Sequence, residues 1–269
     1  MTQQDYVRID AVSKTFEVRT GRTSQKVGAL DRVSFSVHEG EIVALTGLSG
    51  CGKTTLLRII MGLEQATSGQ VVVEGQVVTG CGYDRGLVFQ QAELLPWRTA
   101  LGNAEFGLEL KGVPKEERRR VAKEKLELVG LVGSMDRLPH QLSGGMKQRV
   151  GLARALSIDP HVLLMDEPFG ALDAQTREGL QIELLRIHEE TKKTIIFVTH
   201  DLDEAVLLAD RVVLMSPHPG RINEIFDINI PHPRTDVLSV RASEEFSAKR
   251  YAIWSRLMEK VHAEQEKAS

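Results

Sequence analysis

The chain has 269 residues, 42% apolar and 26% charged, with a formal net charge of −3. That near-neutral balance supplies no global field for a polyanion, so nucleic acid is not expected as a partner. Two cysteines, Cys51 and Cys81, exclude a disulfide framework and suit a reducing compartment, and no apolar run approaches the roughly 20 residues that span a bilayer. The opening stretch MTQQDYVRID lacks the apolar region of an export signal, so a membrane role is expected only from the cytoplasmic surface.

The length allows one large core, or a core with a helical insert. Residues 6–12 read as a first strand and 30–37 as a second, ending at the turn His38-Glu39-Gly40. Residues 42–46 form a short apolar strand that runs into a glycine-rich loop, and a helix is predicted over 54–62. Residues 69–78 alternate about Glu74-Gly75 like a hairpin, and 87–89 form another short strand. From about 93 to 160 the pattern is helical, and the mixed-charge stretch 115–125 reads as a solvated helix face. Strand signals return at 162–165, 194–199 and 211–215, with a helix over 174–191 between the first two. Residues 216–234 hold four of the nine prolines and are expected to be irregular. Between 243 and 264, Phe246, Ile253, Leu257 and Val261 keep helical spacing, which gives a terminal amphipathic helix, packed on the core or used in a dimer contact. The expectation is an α/β fold with a mainly parallel sheet and a helical insert.

Gly47-Leu48-Ser49-Gly50-Cys51-Gly52-Lys53-Thr54 fits the phosphate-loop pattern G-x-x-x-x-G-K-[ST]. Glycines are needed because backbone N–H groups must wrap phosphates at a distance that a Cβ would block. The helix that follows points its positive N-terminus at the same anion. Lys53 is expected to reach the β- and γ-phosphates and Thr54 to bind Mg²⁺, with Thr55 beside them at the helix start. Cys51, inside the loop, reads either as a small filler or as an alkylatable thiol that ATP protects.

Three strand ends are expected on one sheet edge, because ligands bind beyond the carboxyl ends of parallel strands. Gly47 follows the strand 42–46, Asp166 and Glu167 follow Val162-Leu163-Leu164-Met165, and His200 follows the strand 194–199. Asp166 is the expected Mg²⁺ ligand, since that ion prefers oxygen. Glu167 then orients or deprotonates the attacking water, and His200 hydrogen-bonds the γ-phosphate. An acidic pair after a strand is often a helix cap, and a lone histidine is often structural. The nearby phosphate loop favours the catalytic reading.

Leu142-Ser143-Gly144-Gly145-Met146-Lys147-Gln148-Arg149 resembles the signature of ATP-binding cassette (ABC) proteins. It reads as a helix start with Ser143 as N-cap and two glycines leaving N–H groups exposed, a second anion site. The resemblance implies a P-loop NTPase cassette: a mainly parallel sheet core, an antiparallel N-terminal β subdomain and an inserted helical subdomain at about 93–160. The cassette would fill residues 1–234, with a helical tail over 235–269. It also implies that two cassettes pack head to tail, with Ser143, Gly144 and Gly145 of one closing over ATP held by the loop of the other. By the same resemblance Gln90 touches Mg²⁺ or the attacking water, and Asp173, in Ala171-Leu172-Asp173, signals across the interface. Phe16 sits where the family places an adenine-stacking aromatic, and it reads equally as a core residue.

No membrane segment, one cassette and no long coiled coil favour an importer subunit whose pore is a separate permease. Leu94-Leu95-Pro96-Trp97, Met146 and Ser216-Pro217-His218-Pro219-Gly220-Arg221-Ile222 resemble the nitrate, sulfonate and taurine group. The tail is too short for the regulatory β-barrel of sugar importers. The expected partners are a second cassette, identical or different, the permease docked near Leu94, Leu95 and Trp97, and indirectly a solute-binding protein. The expected place is the cytoplasmic face of the cell (inner) membrane, peripherally. The alternative is an ABC ATPase of another kind, with a different solute or no transport role.

Overall fold

The computed structural model describes residues 5–20, 23–217 and 219–268. Expectations that touch residues 1–4, His218 or the side chain of Val261 lie outside the described residues. Two units are present, Met1–Cys81 with Thr194–Ser269, and Gly82–Lys193.

In the first unit, β1 (Asp5–Thr20) pairs antiparallel with β2 (Thr23–His38), from Asp5 opposite His38 to Thr20 opposite Thr23. Both strands run well beyond the predicted 6–12 and 30–37. Phe16, Val18 and Val27 are exposed there, so no buried face imposes the alternation that marks a strand in sequence. β3 (Ile42–Gly47) is buried along its whole length, and α1 (Lys53–Met61) buries Leu56, Leu57, Ile59 and Ile60. Each such side chain contributes about 1.5–3 kcal/mol on leaving water. Gly62 ends the helix in the left-handed region at φ 84°, where a Cβ would lie 2.1 Å from the Gly80 carbonyl oxygen. β4 (Ser68–Val73) and β5 (Gln76–Val77) form a hairpin, completing an antiparallel sheet in the order β2-β1-β4-β5.

The second unit holds β6 (Arg85–Val88), α2 (Ala100–Ala104), α3 (Phe106–Leu110), α4 (Lys115–Leu128), α5 (Gly144–Ser157), β7 (Val162–Asp166) and α6 (Ala174–Thr191). β6 and β7 pair in parallel, Arg85 with Val162 through Val88 with Met165. Helices α2, α3 and α4 pack on α5, and Leu101, Ala104, Leu126, Val150 and Leu152 are buried.

The chain returns to the first unit through β8 (Thr194–Val198), α7 (Leu202–Leu208), β9 (Arg211–Ser216), β10 (Arg221–Asp227), α8 (Val237–Ala242) and α9 (Glu244–Ala268). β3 runs between β8 and β9, parallel to both. Residues 216–234 are not wholly irregular, because β10 pairs antiparallel with β9 inside that span. The prolines bracket β10 instead of interrupting it, so its N–H groups remain available to the ladder. Helix α8, inside the expected helical tail, has six residues and is capped by Asp236, whose carboxylate accepts the Ser239 N–H at 3.2 Å. In α9, Phe246 and Ile253 are buried and Leu257 is half-buried, while Tyr251 and Trp254 face outward. Among the described residues, no helix is long and apolar enough to cross a membrane. The class is α/β, with parallel strands, an antiparallel N-terminal sheet and a helical part.

Candidate active site

The first unit carries the phosphate loop. Gly47, Gly50 and Gly52 stand at φ 144°, 80° and 88°, a region that other residues rarely enter. A Cβ at Gly47 would come within 2.3 Å of the Met215 carbonyl oxygen, and at Gly52 within 2.6 Å of Leu30 Cδ2. Gly50 has nothing within 4 Å, so only its backbone angle demands glycine. The loop hands directly to α1, where Leu56 N–H donates to the Gly52 carbonyl at 2.8 Å. Lys53 is buried, and its ammonium donates to the carbonyls of Gly47 at 2.8 Å and Leu48 at 3.1 Å. A cation thus stands at the centre of the loop, with Ser49 and Gly50 exposed and Leu48, Thr54 and Thr55 half-buried around it.

His200 follows β8 and is exposed. The parallel register of Leu45 with Val198 puts His200 on the same sheet edge as the loop after β3. Phe16, on β1, is 36% exposed, which removes the reading of Phe16 as a core residue. Lys14 Nζ lies 4.9 Å from its ring centroid, a cation–π contact. Of the two readings of Cys51, the structure favours the filler: the residue is completely buried, and burial raises the thiol pKa despite the nearby Lys53 ammonium. It fills space under the loop and is not poised for alkylation.

The second unit carries the acidic pair. Parallel pairing of Val88 with Met165 sends both chains out on one edge, with Gln90 beyond β6 and Glu167 beyond β7. Gln90 Nε2 donates to Glu167 Oε2 at 3.2 Å. Glu167 holds a left-handed φ of 43°, a conformation that costs about 1–3 kcal/mol in a residue with a Cβ. Asp166, the last residue of β7, is half-buried beside it. Thr54, Gln90 and Asp166 all offer oxygen donors, the ligand type that Mg²⁺ takes.

Ser143 caps α5 and its hydroxyl accepts the Met146 N–H at 3.3 Å. Gly145 is pressed against α6, where a Cβ would meet Thr176 Cγ2 at 2.1 Å, whereas Gly144 has only Leu172 near it, at 3.9 Å. Ser143 and Gly144 are both exposed, so the start of α5 presents N–H groups and the positive end of a 14-residue helix outward. Asp173 caps α6 by accepting the Thr176 N–H at 3.0 Å. The side-chain and backbone hydrogen bonds at Thr176 hold its carboxyl below the usual range.

Sequence reasoning missed Asn103. It is fully buried, accepts the Leu95 N–H at 2.7 Å and donates to the carbonyls of Leu95, Arg98 and Thr99. These bonds hold the Leu94-Leu95-Pro96-Trp97 turn in a shape that leaves Trp97 73% exposed. The only signal for it was a polar residue in the apolar stretch of a helix.

A family profile described as ABC transporter matches residues 30–170. An uncharacterized ABC transporter ATP-binding protein of Methanocaldococcus jannaschii is 52% identical over 95% of this chain and 92% of its own length. The taurine import ATP-binding protein TauB of Rhizobium johnstonii is 45% identical over 92% of this chain and 94% of its own. The nitrate import ATP-binding protein NrtC of Synechococcus elongatus is 47% identical over 85% of this chain, which spans 35% of that longer protein. Among solved structures, the dimeric post-hydrolysis state of the ATP-binding cassette MJ0796, bound to ADP and Pi, superposes with a TM-score of 0.73. It is 34% identical, over 84% of this chain and all of that one.

Proposed function

The chain belongs to the ABC transporter family, and from that premise we propose that it drives uptake of a small anionic solute as one half of a cassette dimer. It is an ABC ATPase, the ATP-binding subunit of an importer in the nitrate, sulfonate and taurine group. The finer reading concerns what each residue does. Lys53 and the loop N–H groups from Leu48 to Thr55 bind the phosphates, and Phe16 stacks on the adenine. Thr54, Gln90 and Asp166 would hold Mg²⁺, which when bound neutralises charge on the β- and γ-phosphates. Glu167 takes a proton from the attacking water, and its contact with Gln90 fixes the carboxylate for that task. His200 and Lys53 offset the charge that develops on the γ-phosphate.

The start of α5 is a second anion site, and one chain already has a phosphate loop. Head-to-tail pairing resolves this: Ser143, Gly144 and Gly145 of one copy close over ATP held by its partner, with Asp173 at the interface. ATP then favours the closed dimer because it gains ligands only there. The exposed Trp97, with Leu94 and Leu95, forms the surface for a short cytoplasmic helix of the permease. The protein would work peripherally, on the cytoplasmic face of the cell membrane, with a solute-binding protein acting indirectly. The names of the taurine and nitrate relatives support an anionic solute.

The observation that carries this reading is the strained Glu167 hydrogen-bonded to Gln90 at the ends of two parallel strands. Glu167→Gln removes the base but keeps size and polarity. Size-exclusion chromatography with ATP is expected to show a stable dimer, and steady-state hydrolysis should fall by about 10²-fold or more. Wild-type turnover in this variant would assign the base elsewhere.

A further inference from the structure

The segment that enters β10 packs directly against the phosphate loop. A Cβ at Gly220 would lie 2.2 Å from the Cys51 carbonyl oxygen, 2.9 Å from that of Ala29 and 3.1 Å from the Cys51 carbonyl carbon. All three are backbone atoms, which cannot swing aside as a side chain would. Gly220 is itself pinned: its N–H donates to the Ala29 carbonyl at 2.9 Å, and its carbonyl accepts the Asp31 N–H at 2.9 Å. The neighbouring Arg221 guanidinium pairs with the Asp31 carboxylate. The next loop residue is enclosed by the same wall, since a Cβ at Gly52 would meet Leu30 Cδ2 at 2.6 Å and the Ala29 carbonyl at 2.9 Å. On the other side, the end of β9 closes on Gly47, whose Cβ would come 2.3 Å from the Met215 carbonyl.

We propose that Gly220, locked to β2 by two backbone hydrogen bonds and by the Arg221–Asp31 pair, is a positioning residue that sets the height of the Cys51 peptide and so the fit of the loop to phosphate. The Cys51 and Gly52 peptides immediately precede Lys53, so a displacement here moves the loop N–H groups and the lysine together. A shift of about 1 Å at a positioning element can cost on the order of 10²-fold in activity. Gly220 touches neither nucleotide nor reacting atoms; it acts through the loop. The inference rests on the reading of the loop as the ATP site.

The test compares Gly220→Ala, Arg221→Ala and Lys53→Ala with the wild-type protein. It measures the ATP dependence of hydrolysis and the rise in Tm caused by ATP with Mg²⁺. Gly220→Ala is expected to raise KM for ATP about tenfold and to shrink the ATP-induced rise in Tm. Its nucleotide-free Tm is expected to fall as well, because a Cβ 2.2 Å from a backbone oxygen forces the loop or its wall to shift, so KM and the ATP-induced rise in Tm carry the test. Arg221→Ala loosens the clamp without adding atoms and should raise KM about twofold to threefold at an unchanged nucleotide-free Tm. Lowered nucleotide-free Tm with wild-type KM in both variants would overturn the proposal and leave a merely structural glycine. Should Gly220→Ala fail to fold, wild-type KM in Arg221→Ala overturns it alone. Lys53→Ala separates the two readings. If it keeps ATP-induced stabilisation and turnover, the loop assignment fails; if it loses them while the other variants are unaffected, only the positioning role fails.

Discussion

Lys53 and Cys51 lie two residues apart and face opposite chemical tasks. The Lys53 ammonium is buried, but backbone carbonyls surround it, so its desolvation is met by hydrogen bonds. Cys51 is buried as well, and there desolvation outweighs the Lys53 ammonium that donates to its sulfur at 3.6 Å, so its pKa rises. A maleimide therefore should modify exposed Cys81 in the folded protein and spare Cys51, with or without ATP. Mass spectrometry of the labelled protein checks this. Labelling of native Cys51 that ATP blocks would mean that the loop opens far more than its packing allows. The sequence offered filler and reactive thiol as equal readings, because reactivity depends on solvent access and not on neighbours in the chain.

At the scale of elements, Asp210 ties together pieces that are distant in sequence. Its carboxylate accepts the N–H of Ile42, at the start of β3, at 2.9 Å. It also meets His232 Nε2 at 2.8 Å and pairs with Arg234 at 3.1 Å. Arg234 is 1% exposed and donates further to the carbonyls of Ala209 and Ile230. Burial pushes the Asp210 carboxyl up, but His232, the Ile42 N–H and Arg234 together hold it below its ordinary value. A depressed carboxyl pKa stabilises the fold above the unfolded-state value and loses that contribution as pH falls through the folded-state value. Asp210→Asn removes the charge that faces Arg234 and His232 but keeps a hydrogen-bonding side chain, and should cost about 1–3 kcal/mol at neutral pH. In urea denaturation, the difference from wild type should shrink once pH drops below about 4. A difference that persists unchanged at lower pH would remove the ionic account. None of this was legible beforehand, since the proline-rich stretch read only as irregular chain. The segment is fixed by hydrogen bonds to β9, to Ala209 and Asp210 and to β2, not by any local pattern.

At the scale of the whole molecule, the proposed function gives one chain both a phosphate loop and an outward-facing start of α5 that would bind the ATP of a second copy. If ATP is shared between copies, two inactive variants should complement each other. Mixing Lys53→Ala with Ser143→Arg makes heterodimers in which one composite site has both defects and the other has neither. Hydrolysis should therefore reappear on mixing, approaching about half the wild-type rate per heterodimer, while each variant alone stays inactive. No recovery over a titration of the two proteins would mean that each chain completes its own site.

Sequence by itself determined the α/β class, the phosphate loop, the acidic pair and the signature helix. Each of these is a local pattern of backbone demands: glycines where N–H groups must approach an anion, a short apolar strand that aims an acid, and a serine that caps a helix. The tertiary structure alone decided that Gln90 meets Glu167, that Cys51 is sealed, that Asn103 shapes the turn displaying Trp97, and that Gly220 bears on the loop from about 170 residues away. It also revealed β10 and the outer extension of the β1–β2 ribbon, which lack the buried, alternating face that betrays a strand in one dimension. The division follows from what local chemistry can encode: a residue's intrinsic backbone preference is written at its own position, whereas steric exclusion and hydrogen-bond partnership belong to neighbours that only folding supplies.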